Sequence, residues 1–169
     1  MKIELERVKQ NNPEAIRYIT NHYTHPRGFI GKNSTHLIKV DGLVCGVIVG
    51  GSTSLHLTGR FEFFGEDCDI QNIINNRLFR LELNIPNLGT QVLKLWRKVV
   101  VEDWKLRYNC NPIGFETLVK PPLNGAVYRA DNWVFGGMTK GYTAKKFGHK
   151  NNCKLWIKTE PRLVFLKTL

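Results

Sequence analysis

Residues 77–96 read RLFRLELNIPNLGTQVLKLW, and this stretch decides the fold. Its first half predicts a largely buried strand that ends at Pro86, because proline cannot donate a hydrogen bond to a neighbouring strand. Gly89 then permits a tight turn, and Thr90 is the predicted N-cap of a helix. The apolar strand positions are Leu78, Leu81, Leu83 and Ile85.

The second half of this stretch predicts the start of an amphipathic helix. The first turn of a helix carries backbone N–H groups without intrahelical partners and the positive end of the helix dipole, so phosphate is its natural occupant. Many junctions of this kind nevertheless bind nothing. The absence of GxGxxG and GxxxxGKS/T patterns argues against a Rossmann site and a P-loop but leaves an acyl-CoA pyrophosphate open. The helical apolar positions are Leu93, Trp96, Val99, Val100 and Trp104.

Length and composition predict one globular domain, residues 1–169. The chain has a mass of 19.5 kDa with 42% hydrophobic and 23% charged residues, which is enough to bury a sizeable core. Its longest apolar stretch, Leu43 to Val49, is too short to span a bilayer, and its N-terminus does not resemble a signal peptide. Four widely separated cysteines form no CxxC pair, which predicts a cytoplasmic protein without a zinc knuckle or disulfide framework.

Positive charge is concentrated in the C-terminal third. The formal net charge is +11; residues 120–169 hold 10 Lys and Arg against 2 Asp and Glu, whereas residues 1–119 hold 15 against 12. Such a field attracts polyanions, and interleaved aromatic residues such as Tyr142 and Trp156 can stack on exposed bases. The alternative is a solvated basic surface that aids solubility. Residues 120–169 are therefore a candidate nucleic-acid-binding region.

The remaining patterns predict strands alternating with few helices. Asn12 and Pro13 supply the N-cap and first-turn residues of a helix that runs toward Tyr23. The pair Asp41-Gly42 predicts a two-residue hairpin turn. Together they predict a mixed sheet with helices on its faces. The predicted strands are 1–8, 36–40, 43–51, 114–120, 132–139 and 154–159, with residues 162–169 as a last strand or a tail and a short helix from Asn124.

Four motifs in this order resemble the GNAT N-acyltransferase fold and, more narrowly, the phage Mom family of DNA adenine modification proteins. The resemblance covers roughly His22 to Gly141 and rests on the order of the motifs, since each is weak alone. The motifs are NHYTHPRG (21–28), RLFRLELNIPNLGT (77–90), GFETLV (114–119) and GAVYRADNWVFGGMTKG (125–141).

The resemblance implies an α+β fold of GNAT type, with a mixed, mostly antiparallel central sheet flanked by helices. It also implies a phage-encoded enzyme that uses acetyl-CoA or another acyl-CoA to modify the exocyclic amine of adenine, which protects DNA from restriction. The partner would be double-stranded DNA with a flipped adenine, or single-stranded DNA, because a stacked base is inaccessible. GNAT proteins usually carry a Q/RxxGxG/A phosphate loop, which the PNLGT turn replaces here.

Two other functions stay open. One is a GNAT-like N-acetyltransferase for a small amine or a protein, and the other is a non-catalytic nucleic-acid-binding protein whose helix start holds a DNA phosphate. Adenine's exocyclic nitrogen is a weak nucleophile, so direct acyl transfer to it requires extra activation.

Several side chains are candidates for the reaction. The phenol of Tyr128 matches a GNAT-like tyrosine that can protonate a departing thiolate, and Arg77 matches an arginine of the Mom-like pattern. Glu116, set among apolar residues on its strand, is the candidate base or substrate-orienting group, with a buried salt bridge to an arginine as the alternative. An HxxH pattern without a nearby carboxylate motif predicts no metal. The candidate catalytic residues are His22, Tyr23, Arg77, Glu116 and Tyr128.

Candidate binding residues form two sets. For Arg80, the alternative to a binding role is an ion pair with Glu82 or Glu62. The candidate cofactor-binding residues are Asn84, Ile85, Asn87, Leu88, Gly89, Thr90 and Asn132. The candidate nucleic-acid-binding residues are Arg80, Lys140, Lys145, Lys146 and Lys150.

Overall fold

The computed structural model describes residues 1–22, 29, 31–146 and 154–169. The strands are β1 (Ile3–Val8), β2 (Asn33–Val40), β3 (Leu43–Gly51), β4 (Ile73–Leu81), β5 (Gly114–Val119), β6 (Val134–Met138), β7 (Tyr142–Lys146), β8 (Lys154–Lys158) and β9 (Leu163–Thr168). The helices are α1 (Pro13–Thr20), α2 (Arg60–Phe64), α3 (Leu88–Tyr108) and α4 (Ala126–Ala130), with a 3₁₀ turn at Ile70–Asn72.

Within these described ranges, seven strands form one sheet in the order β1-β2-β3-β4-β5-β9-β6, and β7 pairs with β8 separately. Neighbouring strands of the sheet are antiparallel except β4 and β5, which are parallel. Parallel neighbours require a crossover, and α3 supplies it. Apolar residues of α3 and α4 pack on one face of the sheet, and those of α1 and α2 pack on the other. The predicted mixed, mostly antiparallel sheet flanked by helices is confirmed.

Local signals in the N-terminal half placed two features correctly. The side chain of Asn12 accepts hydrogen bonds from the backbone N–H groups of Glu14 and Ala15 at 3.0 and 3.1 Å, which caps α1. Asp41 and Gly42 have φ angles of 49° and 84°, as the hairpin turn between β2 and β3 requires. The predicted helix start and hairpin are therefore confirmed.

The predicted extent of the central strand was wrong. β4 ends at Leu81, and the side chains of Leu83 and Ile85 are 40% and 38% exposed. The last pair with β3 joins Gly46 to Leu81, and after one further backbone hydrogen bond from Glu82 to Cys45 the chain turns away from β3, so Leu83 and Ile85 are not covered by the sheet.

The helix that follows begins earlier than predicted. Asn87 precedes its first residue and has a φ of 61°, so the chain reverses directly after Pro86 and α3 starts at Leu88. Thr90 therefore lies in the first turn and is not the N-cap. Asn87 itself makes no side-chain capping hydrogen bond.

The predicted apolar stripe of α3 forms the main core. Of its five predicted positions only Val99 is partly exposed, and Trp96 contacts Phe115 of β5 with ring centroids 5.7 Å apart. Burying this stripe fixes α3 against the sheet and so fixes where the helix begins. The buried positions are Leu93, Trp96, Val100 and Trp104. In the part of the chain that the structure describes, no helix combines the length and apolar character needed to cross a membrane.

Candidate active site

The site is created where β4 and β5 separate. The two strands pair only through residues 73–76 and 114–117. β4 then continues to Leu81 and β5 to Val119 without pairing to each other. Arg77 is an extra residue in β4 relative to β3, because Gly50 pairs with Asn76 and Val49 with Leu78. A bulge increases local twist and bends the strand, so it lies where the two strands diverge.

A cleft of about 500 Å³ passes between the separated strands. Its walls come from residues 75–79 of β4, 117–119 of β5 and 123–128 at α4, with His22, Phe29 and Arg162 completing it. Its size is in the range of small-molecule sites. None of the described residues that line it is an aspartate or glutamate, whereas Arg77 and Arg162 are cationic.

The hydroxyl group of Tyr128 lies at the point of divergence. It donates a hydrogen bond of 2.6 Å to Oδ1 of Asn76, the last β4 residue paired with β5. Thr117, the facing residue of β5, lies with its hydroxyl 3.4 Å from the tyrosine oxygen and 2.9 Å from the carbonyl oxygen of Asn76. A phenol at this position is hydrogen-bonded, lines the cleft and can exchange its proton with a group bound there.

Several contacts hold the ring of Tyr128 in place. It packs edge-on against Trp133 at 5.1 Å and parallel to Phe165 at 5.9 Å between ring centroids. Asp131, directly after α4, accepts hydrogen bonds from Nη2 of Arg97 at 3.0 Å and from the indole of Trp133 at 2.9 Å. Because Arg97 belongs to α3, these bonds join α4 to the long helix and fix the direction of the phenol.

Glu116 is brought beside the cleft but does not line it. Its carboxylate is fully buried and accepts two hydrogen bonds from Arg60, at 2.8 and 2.9 Å, and one from Asn75 at 3.3 Å. Burial raises the pKa of Glu116, and the Arg60 guanidinium opposes that rise. This is the buried salt bridge that the sequence left as the alternative to a catalytic base, with Arg60 as the partner.

Two predicted arginines of β4 have different surroundings. Arg77 lines the cleft, and its Nε and Nη2 donate to the carbonyl oxygen of Ser52 at 3.1 and 2.7 Å. Burial lowers the pKa of Arg77. Arg80 binds Glu82 through Nε and Nη2 at 3.1 and 3.0 Å and also donates to the carbonyl oxygen of Asn21. The predicted ion pair of Arg80 with Glu82 is thus present.

The predicted phosphate-binding turn lies at the rim of the cleft. Asn84, Ile85 and Asn87 are exposed, Leu88 is buried in the core, and Gly89 and Thr90 are half-buried. None of these residues lines the cleft itself.

Gly89 connects this turn to the cleft. A Cβ atom at Gly89 would lie 2.8 Å from Cγ2 of Val127, a cleft residue, so only glycine permits this approach of α3 to α4. The backbone N–H of Leu88 donates to the carbonyl oxygen of Ile85 at 3.1 Å. The next two N–H groups of α3, those of Gly89 and Thr90, have no backbone acceptor among the described residues, as is usual in the first turn of a helix.

The other predicted residues are dispersed. His22 is buried and lines the cleft, and Asn132 is exposed, has a φ of 58° and accepts a hydrogen bond from Lys167 through its carbonyl oxygen. Lys140 is exposed and lies outside the cleft. Tyr23, Lys150 and the side chains of Lys145 and Lys146 lie outside the described residues.

Sequence reasoning missed Asn76 and Arg162. Asn75 and Asn76 directly follow two buried isoleucines in β4, and two adjacent amides in a buried part of a strand were a usable signal, because buried amides require hydrogen-bond partners. Arg162 carries no comparable local signal. It is distant in the sequence from the other cleft residues and reaches them only through the fold.

No protein-family model and no curated protein matches this sequence. Solved structures do match. An acetyltransferase from Bacillus subtilis in complex with CoA has a TM-score of 0.62 at 11% identity, over 99% of both chains. A GNAT family acetyltransferase from Elizabethkingia anophelis with acetyl-CoA bound has a TM-score of 0.59 at 10% sequence identity, over 99% of this chain and 98% of that one. The ribosomal L7/L12 alpha-N-protein acetyltransferase RimL, in its apo form, has a TM-score of 0.55 at 14% sequence identity, over 98% of this chain and 92% of that one. The fold is therefore that of GNAT acetyltransferases.

Proposed function

We propose that this protein is an acyl-CoA-dependent N-acyltransferase. The observation that carries the proposal is the cleft between β4 and β5, which has the Tyr128 phenol at its base and the start of α3 at its rim. Two of the similar structures contain CoA or acetyl-CoA, which supports the same cofactor here.

The cleft suits an extended chain that carries amides. The edge of β4 beyond Asn76 is not paired with β5, so its backbone groups can bind the amides of a pantetheine arm as a neighbouring strand would. The N-terminus of α3, beside Gly89, would then receive the pyrophosphate. With the pantetheine arm held by β4 and the pyrophosphate held by α3, the acyl group would lie at the point where the two strands diverge.

Tyr128 is the proposed acid. Acyl transfer from a thioester to an amine forms a C–N bond as the C–S bond breaks; the phenol in the cleft protonates the departing thiolate, and the proton that the amine nitrogen loses restores the phenol. Asn76 and Thr117 hold the hydroxyl in position. We assign no base role to Glu116, because its carboxylate is used by Arg60 and Asn75.

Binding and transfer are tested separately. Calorimetry with acetyl-CoA should give saturable binding to the wild type, and Gly89→Asp should abolish it by placing a bulky anion where Val127 packs and phosphate would bind. Glu66→Asp, in the loop after α2, is a matched control that should not change the affinity. Undetectable binding to the wild-type protein would reject the proposal.

The role of Tyr128 is tested by Tyr128→Phe. Removing the hydroxyl should lower kcat by about 10²-fold or more and leave the Kd for acetyl-CoA nearly unchanged, because general acid catalysis acts on the chemical step. Release of free CoA in the presence of a panel of amines measures the rate. An unchanged kcat would remove Tyr128 from the chemistry.

In this proposal the acceptor is a small amine or a protein; RimL, by its name, acetylates a protein, ribosomal L7/L12. A second candidate acceptor is adenine in DNA, favoured by the net charge of +11 and the resemblance to Mom proteins. The Mom resemblance gains no support from the structural comparisons. Replacing Lys145, Lys146 and Lys150 with alanine should weaken DNA binding and flatten its salt dependence. Mass spectrometry of nucleosides from cells that express the protein decides whether adenine is modified.

A further inference from the structure

A second cavity of about 980 Å³ lies beside the cleft. It is on the α2 face of the sheet, where Leu57 and Phe61 form part of its wall. Leu118 and Arg162 line both the cleft and this cavity, so the two spaces adjoin at these side chains. A thioester that enters beside α3 and passes between β4 and β5 would present its acyl group toward this second space.

The cationic side chains of the second cavity are not neutralised by nearby acids. Glu160 is the acidic residue among those lining it, and its carboxylate is 3.0 Å from Nζ of Lys120, with which it forms an ion pair. Arg162 uses its backbone N–H to bind the hydroxyl oxygen of Thr139 at 2.9 Å. Within the described part of the chain, the guanidinium of Arg162 and the ammonium of Lys140 make no hydrogen bond or ion pair.

We propose that the second cavity binds the acceptor through a phosphate group held by Arg162 and Lys140. The proposal rests on the acyltransferase function above and names the class of its acceptor. A polycationic acceptor is disfavoured, because two uncompensated cations would repel it and none of the described residues that line the cavity offers an unpaired carboxylate.

Phosphate fits this cavity better than carboxylate. Besides the two cations, the wall offers hydroxyl groups and an imidazole, and a phosphate can use this many donors because it presents three acceptor oxygens, one more than a carboxylate. The planar guanidinium of Arg162 can bind two of those oxygens at once. The additional donors are His56, Thr58, Thr139 and Thr159.

The test compares matched amines with and without phosphate. Titration calorimetry, in the presence and absence of acetyl-CoA, would measure phosphoethanolamine against ethanolamine, and a short single-stranded oligonucleotide against a glutamate-rich peptide. Phosphoethanolamine carries a phosphomonoester and the oligonucleotide carries phosphodiesters, so these two arms separate the sources of phosphate. We expect phosphate-bearing probes to bind and their unphosphorylated or carboxylate counterparts to bind weakly or not at all.

Two variants and one control assign the contact. Arg162→Gln should lower the affinity for the phosphate probe by about tenfold or more, since it removes a charge-assisted bidentate contact. Lys140→Gln should have a smaller effect of the same sign. Lys98→Gln removes the same charge from the exposed side of α3 and should have none.

Each outcome bears on a different claim. Equal binding of ethanolamine and phosphoethanolamine, preference for the acidic peptide, or equal losses in Arg162→Gln and Lys98→Gln would overturn the phosphate site. If the wild type does not bind acetyl-CoA but binds the phosphate probe in a way that depends on Arg162, the acyltransferase function is rejected and the phosphate site is supported.

Discussion

Removing the carboxylate of Glu116 should strongly destabilise the protein. In Glu116→Leu the Arg60 guanidinium stays fully buried and loses both of its short hydrogen bonds to the carboxylate. Breaking one side of a buried ion pair costs about 3–5 kcal/mol. A chain of this length has a total stability of about 5–15 kcal/mol, so the variant should lose a large part of it. Its melting midpoint should fall by about 6–20 °C, at about 2–4 °C per kcal/mol.

The double variant Arg60→Met, Glu116→Leu should recover most of this loss. It removes both charges and replaces them with apolar side chains of similar length, which is often neutral in a buried site. The remaining cost comes from Asn75, which loses its acceptor, and from the Leu55 carbonyl oxygen, which loses the Nη1 donor at 3.2 Å, at about 1 kcal/mol each.

Urea unfolding followed by tryptophan fluorescence would give both free energies. A single-variant cost below about 1 kcal/mol, or a double variant no more stable than Glu116→Leu, would refute the assignment of a buried structural pair. The double variant also addresses catalysis. If it folds and transfers acyl groups at the wild-type rate, Glu116 is not the base.

Three further predictions concern single sites. His36 is fully buried, and neither of its ring nitrogens has a hydrogen-bond partner among the residues that the structure describes. Burial lowers its pKa to about 4; the charge of Asp103 opposes this shift, and the charges of Arg7 and Arg107 add to it. The unfolded chain therefore takes up this proton first, so stability should fall by about 3 kcal/mol as pH drops from about 6.5 to about 4. The urea midpoint should depend less steeply on pH in His36→Gln than in the wild type. An equally steep dependence in the variant would show that His36 is not the group responsible. Asn12→Ala should cost about 1 kcal/mol in urea unfolding, since two N–H groups lose their cap. Gly125→Ala should destabilise by more than about 1 kcal/mol, because its φ is 73° and a Cβ would lie 2.3 Å from Phe165; melting temperature measures this, and a wild-type value would rule the contact out.

Local signals predicted the class of fold and several element ends well. The Asn12 cap and the Asp41-Gly42 turn depend on interactions within a few residues, so the sequence contains all that they require. The same reasoning misplaced the end of β4, because Leu83 and Ile85 are apolar whether or not a neighbouring strand exists to cover them. It misplaced the start of α3 because it looked for a side chain that caps the helix. The chain instead turns into the helix through the left-handed backbone conformation of Asn87, which makes no capping hydrogen bond through its side chain.

In the candidate site, too, the sequence indicated single residues, and the fold decided which distant residues they contact. Tyr128 was predicted, and the structure places its hydroxyl against Asn76, which the sequence did not single out. Glu116 was predicted to be a base or substrate-orienting group, with a buried salt bridge as the alternative, and its buried carboxylate forms that salt bridge. The partner that satisfies it, Arg60, lies 56 residues earlier, so no local pattern could choose between a salt bridge and a free base.

By itself the sequence determined the alternation of strands and helices, the buried stripe of α3 and the basic excess of residues 120–169, since periodicity, capping and charge are properties of short segments. Only the tertiary structure decided that β4 and β5 part after Asn76 and Thr117, and that Arg162 reaches the junction of two cavities. Strand pairing and the meeting of distant side chains depend on how the whole sheet packs, and that packing is settled by contacts between segments far apart in the chain.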